Sequence, residues 1–272
     1  MGRKTKEKMG SQARKKSHQK QVVLGILKQD GIVKTNAVSE LLNVSECTVR
    51  RLFDELEANG DVVRVYGGIK LVQNGHENYL FDKLQKLQLE QKVRIGKYAS
   101  SLVETGDNIW IDSGTTAEQM AMSLLERLKH KEIANIQVFS NSQRNIEKLA
   151  DYCEVNLVGG LFRKNRQDYC GYLTEIVLEA VSFKKSFLGA DGISPHPDEG
   201  IMTMDAFTAK ISNLVVNRSD KSYLMVDSTK LNRRSLMKFA SIDQVSNVIT
   251  DEEADEEGMA LLQKVGARVI KV

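Results

Sequence analysis

The residues best suited to binding chemistry are Asp112-Ser-Gly-Thr-Thr116. They follow a short apolar run, Asn108-Ile-Trp-Ile111, and precede a helical pattern that continues through Leu128. At such a strand-to-helix junction the first helical amides lack intrahelical partners and favour an anion. Gly114 lets the backbone come close to a ligand, and Ser113, Thr115 and Thr116 add hydroxyl donors. Phosphate is the natural guest. A plain capped helix start would look similar, so the reading leans on what lies near it.

Four later strand ends carry related residues: Ser140-Asn141-Ser142, Gly159-Gly160 with Arg163, Gly189-Ala-Asp191-Gly192, and Asp227-Ser-Thr-Lys230. Each alone reads as a turn. As successive strand ends they could converge on one pocket. There Asp112 and Asp191 suit sugar hydroxyls, while Arg163 or Lys230 suits a phosphate. Asn141, Gly160 and Gly192 complete the expected set.

A second constellation lies near the start of the chain. Val49, Leu52, Phe53 and Leu56 recur at helical spacing after Ser45, a good N-cap, and Asn59-Gly60 stops the pattern. The opposite side of that helix presents Glu46, Cys47, Thr48, Arg50 and Arg51. Arginines so placed can donate to guanine edges or to backbone phosphates. Arg64, Tyr66 and Lys70 follow on a hairpin and could reach the same polyanion.

The elements that must hold these residues are legible from periodicity. Val22, Val23, Ile26 and Leu27 form one helical face, ended by Asp30-Gly31. Thr35 suits the cap of a second helix carrying Ala37, Val38, Leu41 and Leu42, and Asn43-Val44 is a tight turn. The run 61–72 reads as a hairpin turning at Gly67-Gly68. Three helices and a hairpin form a winged helix-turn-helix, whose second motif helix enters the major groove. Residues 1–16 read as a disordered basic tail, 17–72 as the DNA-binding domain, and 73–103 as a linker and one connecting helix from about Phe81 to Val103. Residues 104–272 alternate strand and helix patterns, which predicts a doubly wound, largely parallel α/β domain.

Charge agrees with this division. Residues 1–70 carry 14 Lys+Arg against 8 Asp+Glu, while the remainder carries 25 against 28. A small basic module on a mildly acidic body suits a polyanion partner for that module. Cys47, Cys153 and Cys170 lack metal-ligand spacing and read as reduced thiols; His18, His76, His130 and His196 are scattered. No metal and no cofactor are expected. No apolar run approaches the roughly 18 residues that would span a bilayer. The basic N-terminal stretch also lacks a signal-peptide pattern, so a cytoplasmic location is expected.

The stretch Val44-Ser-Glu-Cys-Thr-Val-Arg-Arg51, with Leu56-Glu57, Gly60, Arg64 and Gly67-Gly68, resembles the DNA-binding signature of the DeoR family of bacterial regulators. Leu52 stands where that family carries an acid. Ile111-to-Thr116, Asn141-Ser142, Gly159-Gly160, Phe187-to-Ile193 and Asp227-to-Lys230 resemble the family's effector domain, which is similar to ribose-5-phosphate isomerase and binds phosphorylated sugars. Ala206 stands where the family carries Glu, four residues before the lysine matching Lys210. The resemblance covers residues 17–272. It implies a non-enzymatic repressor of sugar uptake or catabolism genes, an operator DNA partner, a sugar-phosphate effector and a homodimer or tetramer. Two rivals remain: an isomerase-like enzyme using Asp112, Asp191 and Lys230, and a regulator blind to any ligand.

Overall fold

A computed structural model of the chain describes residues 19–20, 22–27, 32–58, 62–65, 67–71, 81–196 and 198–272. The chain divides into two compact units, Met1–Glu77 and Asn78–Val272.

The first unit holds helix α1 (residues 22–27), strand β1 (Ile32–Lys34), helices α2 (Thr35–Leu42) and α3 (Glu46–Ala58), and strands β2 (Val62–Val65) and β3 (Gly68–Leu71). Its core follows the helical period. Val49, Leu52, Phe53 and Leu56 of α3 are buried against Val23, Leu27, Val38, Val62 and Ile69. Leu52 is thus a core residue, which an acid at that position would not be.

Three details depart from expectation. Thr35 does not cap α2; it is the first helical residue, and its amide donates to Gly67 O at 2.8 Å. The hairpin does not turn at Gly67-Gly68. Val65 pairs with Gly68, so Gly68 already belongs to the ladder, and Gly67 just before it stands at φ 76°. Strand β1 was not expected; it pairs antiparallel with β3. A Cβ on Gly68 would sit 2.0 Å from Val33 O, so this pairing requires glycine. The basic tail of residues 1–16, the helix stop at Asn59-Gly60 and Tyr66 lie outside the described residues.

The second unit begins with helices α4 (Phe81–Leu84) and α5 (Leu89–Ser101), then strand β4 (Asn108–Ile111), α6 (Thr115–Lys129), β5 (Gln137–Ser140), α7 (Gln143–Leu149) and β6 (Glu154–Leu157). A hairpin follows, β7 (Leu161–Arg163) and β8 (Asp168–Cys170), then α8 (Tyr172–Ala180) and β9 (Phe183–Leu188). The rest is β10 (Gly192–Ser194), β11 (Gly200–Thr203), α9 (Ala206–Asn217), β12 (Ser219–Met225), β13 (Met237–Ala240), β14 (Asn247–Thr250), α10 (Glu256–Lys264) and β15 (Val269–Lys271).

Seven strands form one parallel sheet in the order β15-β14-β12-β9-β4-β5-β6. Period-two alternation splits the inner strands between two cores. Ile109 and Ile111 join the cluster under α5, α6 and α7, while Trp110 joins the cluster under α8, α9 and α10. The domain is doubly wound, as the alternating pattern predicts. The chain runs outward from β4 through β5 to β6, then returns to β9 on the other side of β4. That reversal opens a crevice at the carboxyl ends of β4 and β9.

The single helix expected over residues 81–103 is broken. Gln88 adopts a left-handed conformation, φ 53° and ψ 39°, and separates α4 from α5. The hairpin β7–β8 and the antiparallel sheet β10-β11-β13 were also not foreseen.

Candidate functional site

The crevice at the reversal is a cavity of about 490 Å³. Its walls come from the α4–α5 corner, the loop after β4, the loop after β9, and residues 225–233.

The loop after β4 is built tightly. Buried Asp112 accepts the Ser113 amide at 2.8 Å on Oδ1 and the Gly189 amide at 3.0 Å on Oδ2. Burial pushes the Asp112 carboxyl above its usual range, against the pull of those two amides and of Arg166. Asn145 Nδ2 donates to Asp112 O at 2.9 Å, and Ser113 Oγ donates to Asp168 Oδ2 at 3.0 Å. Helix α6 then starts at Thr115. Its N-cap, Gly114, is extended and offers no side-chain cap, so the first amides face the cavity region without one. Glu118 in that first turn is buried but paired with Arg144 at 3.1 Å and Lys148 at 2.9 Å.

Asp191 also lines the cavity, where its Oδ2 accepts Thr203 Oγ1 and the Met204 amide, each at 2.9 Å. Asp227 accepts the Thr229 amide at 3.2 Å and its hydroxyl. Asp251 Oδ2 accepts the Ser228 amide at 2.6 Å. Together they fix the 3-10 turn that carries Lys230.

Four cations line the cavity: Lys92, Arg166, Lys230 and Arg233. Lys92 is 6% exposed, and its Nζ donates to Leu84 O at 2.7 Å. Burial lowers its pKa; Asp227 opposes that and Lys230 adds to it.

Asp112, Ser113, Gly114, Thr115, Thr116, Asp191 and Lys230 therefore share one cavity. The other four expected residues do not line it. Arg163 donates to Asp168 from Nε at 2.7 Å and Nη2 at 2.6 Å, and to Asp205 from Nη1 at 2.5 Å. Burial works against its charge, yet the bonds to Asp168 and Asp205 raise its pKa. It is a buried clamp between β7, β8 and the start of α9, not the cavity's cation. Asp205, beside Ala206, is thereby also accounted for: it caps α9 through the Thr208 amide at 2.7 Å. Asn141 Nδ2 donates to Tyr169 O at 2.9 Å and so secures β8. A Cβ on Gly160 would lie 2.4 Å from Thr174 Oγ1, and one on Gly192 2.3 Å from Arg233 O. These two glycines serve close packing, and Gly192 thereby lets the Arg233 segment approach.

Sequence reasoning missed Lys92, Arg166 and Arg233. For Lys92 a signal existed: with Ile95, Gly96 and Ala99 it occupies the buried face of α5. A lysine on an apolar stripe needs a partner or a ligand.

On the first unit, Ser45 Oγ accepts the Thr48 amide at 3.3 Å and contacts Thr48 Oγ1 at 3.0 Å, capping α3 as expected. Glu46, Cys47, Thr48, Arg50 and Arg51 are all exposed. Arg50 pairs with Glu46 at 3.3 Å. Arg64 departs from the DNA-facing role. Its Nη2 donates to Arg50 O at 2.9 Å and pairs with Asp54, its Nε lies 3.5 Å from Glu57, and it stacks 5.5 Å from the Phe53 ring. It fastens β2 to α3. Lys70 belongs to β3, but its side chain, like Tyr66, lies outside the described residues.

Cys47 is exposed, Cys153 half-buried and Cys170 buried, all as free thiols. Among the described residues no group of His, Cys, Asp or Glu is arranged to hold a metal. No helix among them is long and apolar enough to cross a membrane.

Comparison with known proteins gives a consistent result across both units. Residues 20–74 match the model described as a DeoR-like helix-turn-helix domain, and residues 87–252 match the DeoR C terminal sensor domain. The lactose phosphotransferase system repressor of Lactococcus lactis subsp. lactis is 31% identical over 85% of this chain and 89% of its own length. The repressor of the same name from Streptococcus mutans serotype c is 28% identical over 89% of this chain and 95% of its own. Among solved structures, ribose 5-phosphate isomerase A of Methanocaldococcus jannaschii aligns with 17% identity over 52% of this chain and 54% of that one, at a TM-score of 0.39.

Proposed function

Since this chain belongs to the DeoR family of transcriptional regulators, we propose that it represses sugar uptake or catabolism genes under the control of a phosphorylated sugar bound in the cavity of its second unit. The observation that carries this reading is one cavity joining an uncapped helix start, four cations and three carboxylates. The phosphate sits at the Gly114, Thr115 and Thr116 amides, with Lys92 and Lys230 nearby. Ser113 orients that loop. Asp112 and Asp191 receive sugar hydroxyls, and Arg166 and Arg233 set the other wall.

The DNA partner meets α3. Ser45 and Thr48 offer a capped helix start to a phosphate, and Glu46, Arg50 and Arg51 face base edges in the major groove. Tyr66 and Lys70 of the wing touch the flanking backbone. The work takes place in the cytoplasm, beside the DNA. The protein acts as a dimer or tetramer, since two half-sites multiply affinity. Tyr172, Leu173, Ile176 and Val177 of α8, together with Leu161 and Phe162 of β7, are exposed apolar side chains that suit such self-association. Leu173→Asp is expected to lower the mass seen by sedimentation equilibrium.

Acid–base catalysis fits the cavity less well. Both oxygens of Asp112 already accept backbone amides, which suits holding a loop more than moving a proton. Fluorescence anisotropy with DNA from upstream of the protein's own gene tests the regulator reading. Specific binding that one sugar phosphate weakens is expected. Binding no better than to scrambled DNA, together with turnover of ribose 5-phosphate, would overturn it in favour of an enzyme.

A further inference from the structure

The corner between α4 and α5 is an unusual piece of backbone. Gln88 is a non-glycine residue in the left-handed region, a conformation that persists where surroundings impose it. Several contacts hold the corner. The Phe81 amide donates to Asn165 O at 3.1 Å. Asp82 pairs with Arg144 at 3.3 Å, and the same guanidinium lies 4.7 Å from the centre of the Phe81 ring. Leu84 O accepts the Leu87 amide at 3.2 Å and Lys92 Nζ at 2.7 Å. Among these anchoring side chains, Lys92 also lines the cavity, and so do Leu84, Leu87 and Gln88.

We infer that Lys92 is a ligand-binding residue of the cavity, and that the same ammonium ties a bound anion to the α4–α5 corner. This rests on the anion-binding reading of the cavity given above. An ammonium has three donors, and Leu84 O takes one of them. The other two suit an oxyanion in the cavity, so one side chain grips ligand and backbone together. Burial makes the unliganded ammonium reluctant to hold its charge. A neighbouring dianion reverses that tendency and strengthens the bond to Leu84 O, because charge-assisted bonds are the stronger ones. Ligand therefore tightens the corner. Residue 78 begins the second unit, so this corner is its entry, directly after the chain leaves the DNA-binding unit.

The test is hydrogen–deuterium exchange on the full-length protein with inorganic phosphate, which needs the anion subsite but no sugar. Wild type, Lys92→Met and Lys230→Met are compared at equal fractional occupancy, set by calorimetry. Methionine keeps the length and packing of the lysine stem; Lys230→Met removes a cavity cation that makes no bond to the corner. In wild type, phosphate is expected to slow exchange both at residues 114–119 and at residues 82–88. Lys92→Met is expected to bind phosphate about tenfold more weakly and to keep protection at 114–119 while losing it at 82–88. Lys230→Met is expected to keep both. Protection at 82–88 that is absent in wild type, or that survives in Lys92→Met, overturns the coupling and leaves the anion site standing. Protection at neither segment overturns the anion reading of the cavity as well.

Discussion

Arg50 and Arg51 are neighbours on α3 but are not equivalent. Arg50 already pairs with Glu46 across one helical turn, and both side chains are well exposed. Such a pair is worth at most about 1 kcal/mol, yet it must loosen before Arg50 meets DNA. No ion pair among the described residues involves Arg51. Arg51→Ala is therefore expected to weaken operator binding by about 1–3 kcal/mol, and Arg50→Ala by less. Anisotropy titrations decide it, and equal losses would remove the distinction. Lys92 carries a prediction in pH. Its pKa lies below 10.5, chiefly through burial. Between its folded value and 10.5 the unfolded chain binds more protons, so raising the pH in that window stabilises the fold. Lys92→Met lacks this term. The stability of wild type relative to the variant should rise with alkaline pH in denaturant titrations without added anion, and a flat difference would contradict it.

At the scale of elements, backbone contact sets the sharpest constraints. A Cβ on Gly96 of α5 would lie 2.5 Å from Met120 N of α6, so these helices meet at a glycine. Gly96→Ala is expected to cost about 1–3 kcal/mol by overpacking, read from the urea midpoint. Neither Gly68 nor Gly96 announces that contact in the sequence. What periodicity can show is different in kind. The amphipathic face of α3 and the apolar strands β4, β9 and β12 stand out because several residues repeat a spacing. Strands β1, β7 and β8 have three residues each, too few for a period to register. The site divides the same way. Asp112 to Thr116, Asp191 and Lys230 follow strands directly, so the rule of carboxyl ends reaches them. Arg166 and Arg233 arrive by tertiary packing, from a hairpin loop and a segment after a 3-10 turn. Arg163 misled because its spacing after Gly159-Gly160 suggests a phosphate cation, while Asp168 and Asp205 converge on it only in three dimensions.

For the whole molecule, two units with separate cores imply two cooperative transitions rather than one. Gly68→Ala should lower the calorimetric midpoint of the smaller transition alone, and Gly96→Ala that of the larger. If either substitution moves both peaks together, the units do not unfold independently. The cavity has a consequence at this scale too. Its four cations come from three separate segments, α5, the β7–β8 loop and the stretch that carries both Lys230 and Arg233, and none belongs to either apolar cluster. A lineage can exchange them one at a time and leave the packing of the fold intact. Metabolite choice in such a molecule drifts by single substitutions, so two regulators with the same sheet order and the same groove-reading helix need not answer to the same nutrient.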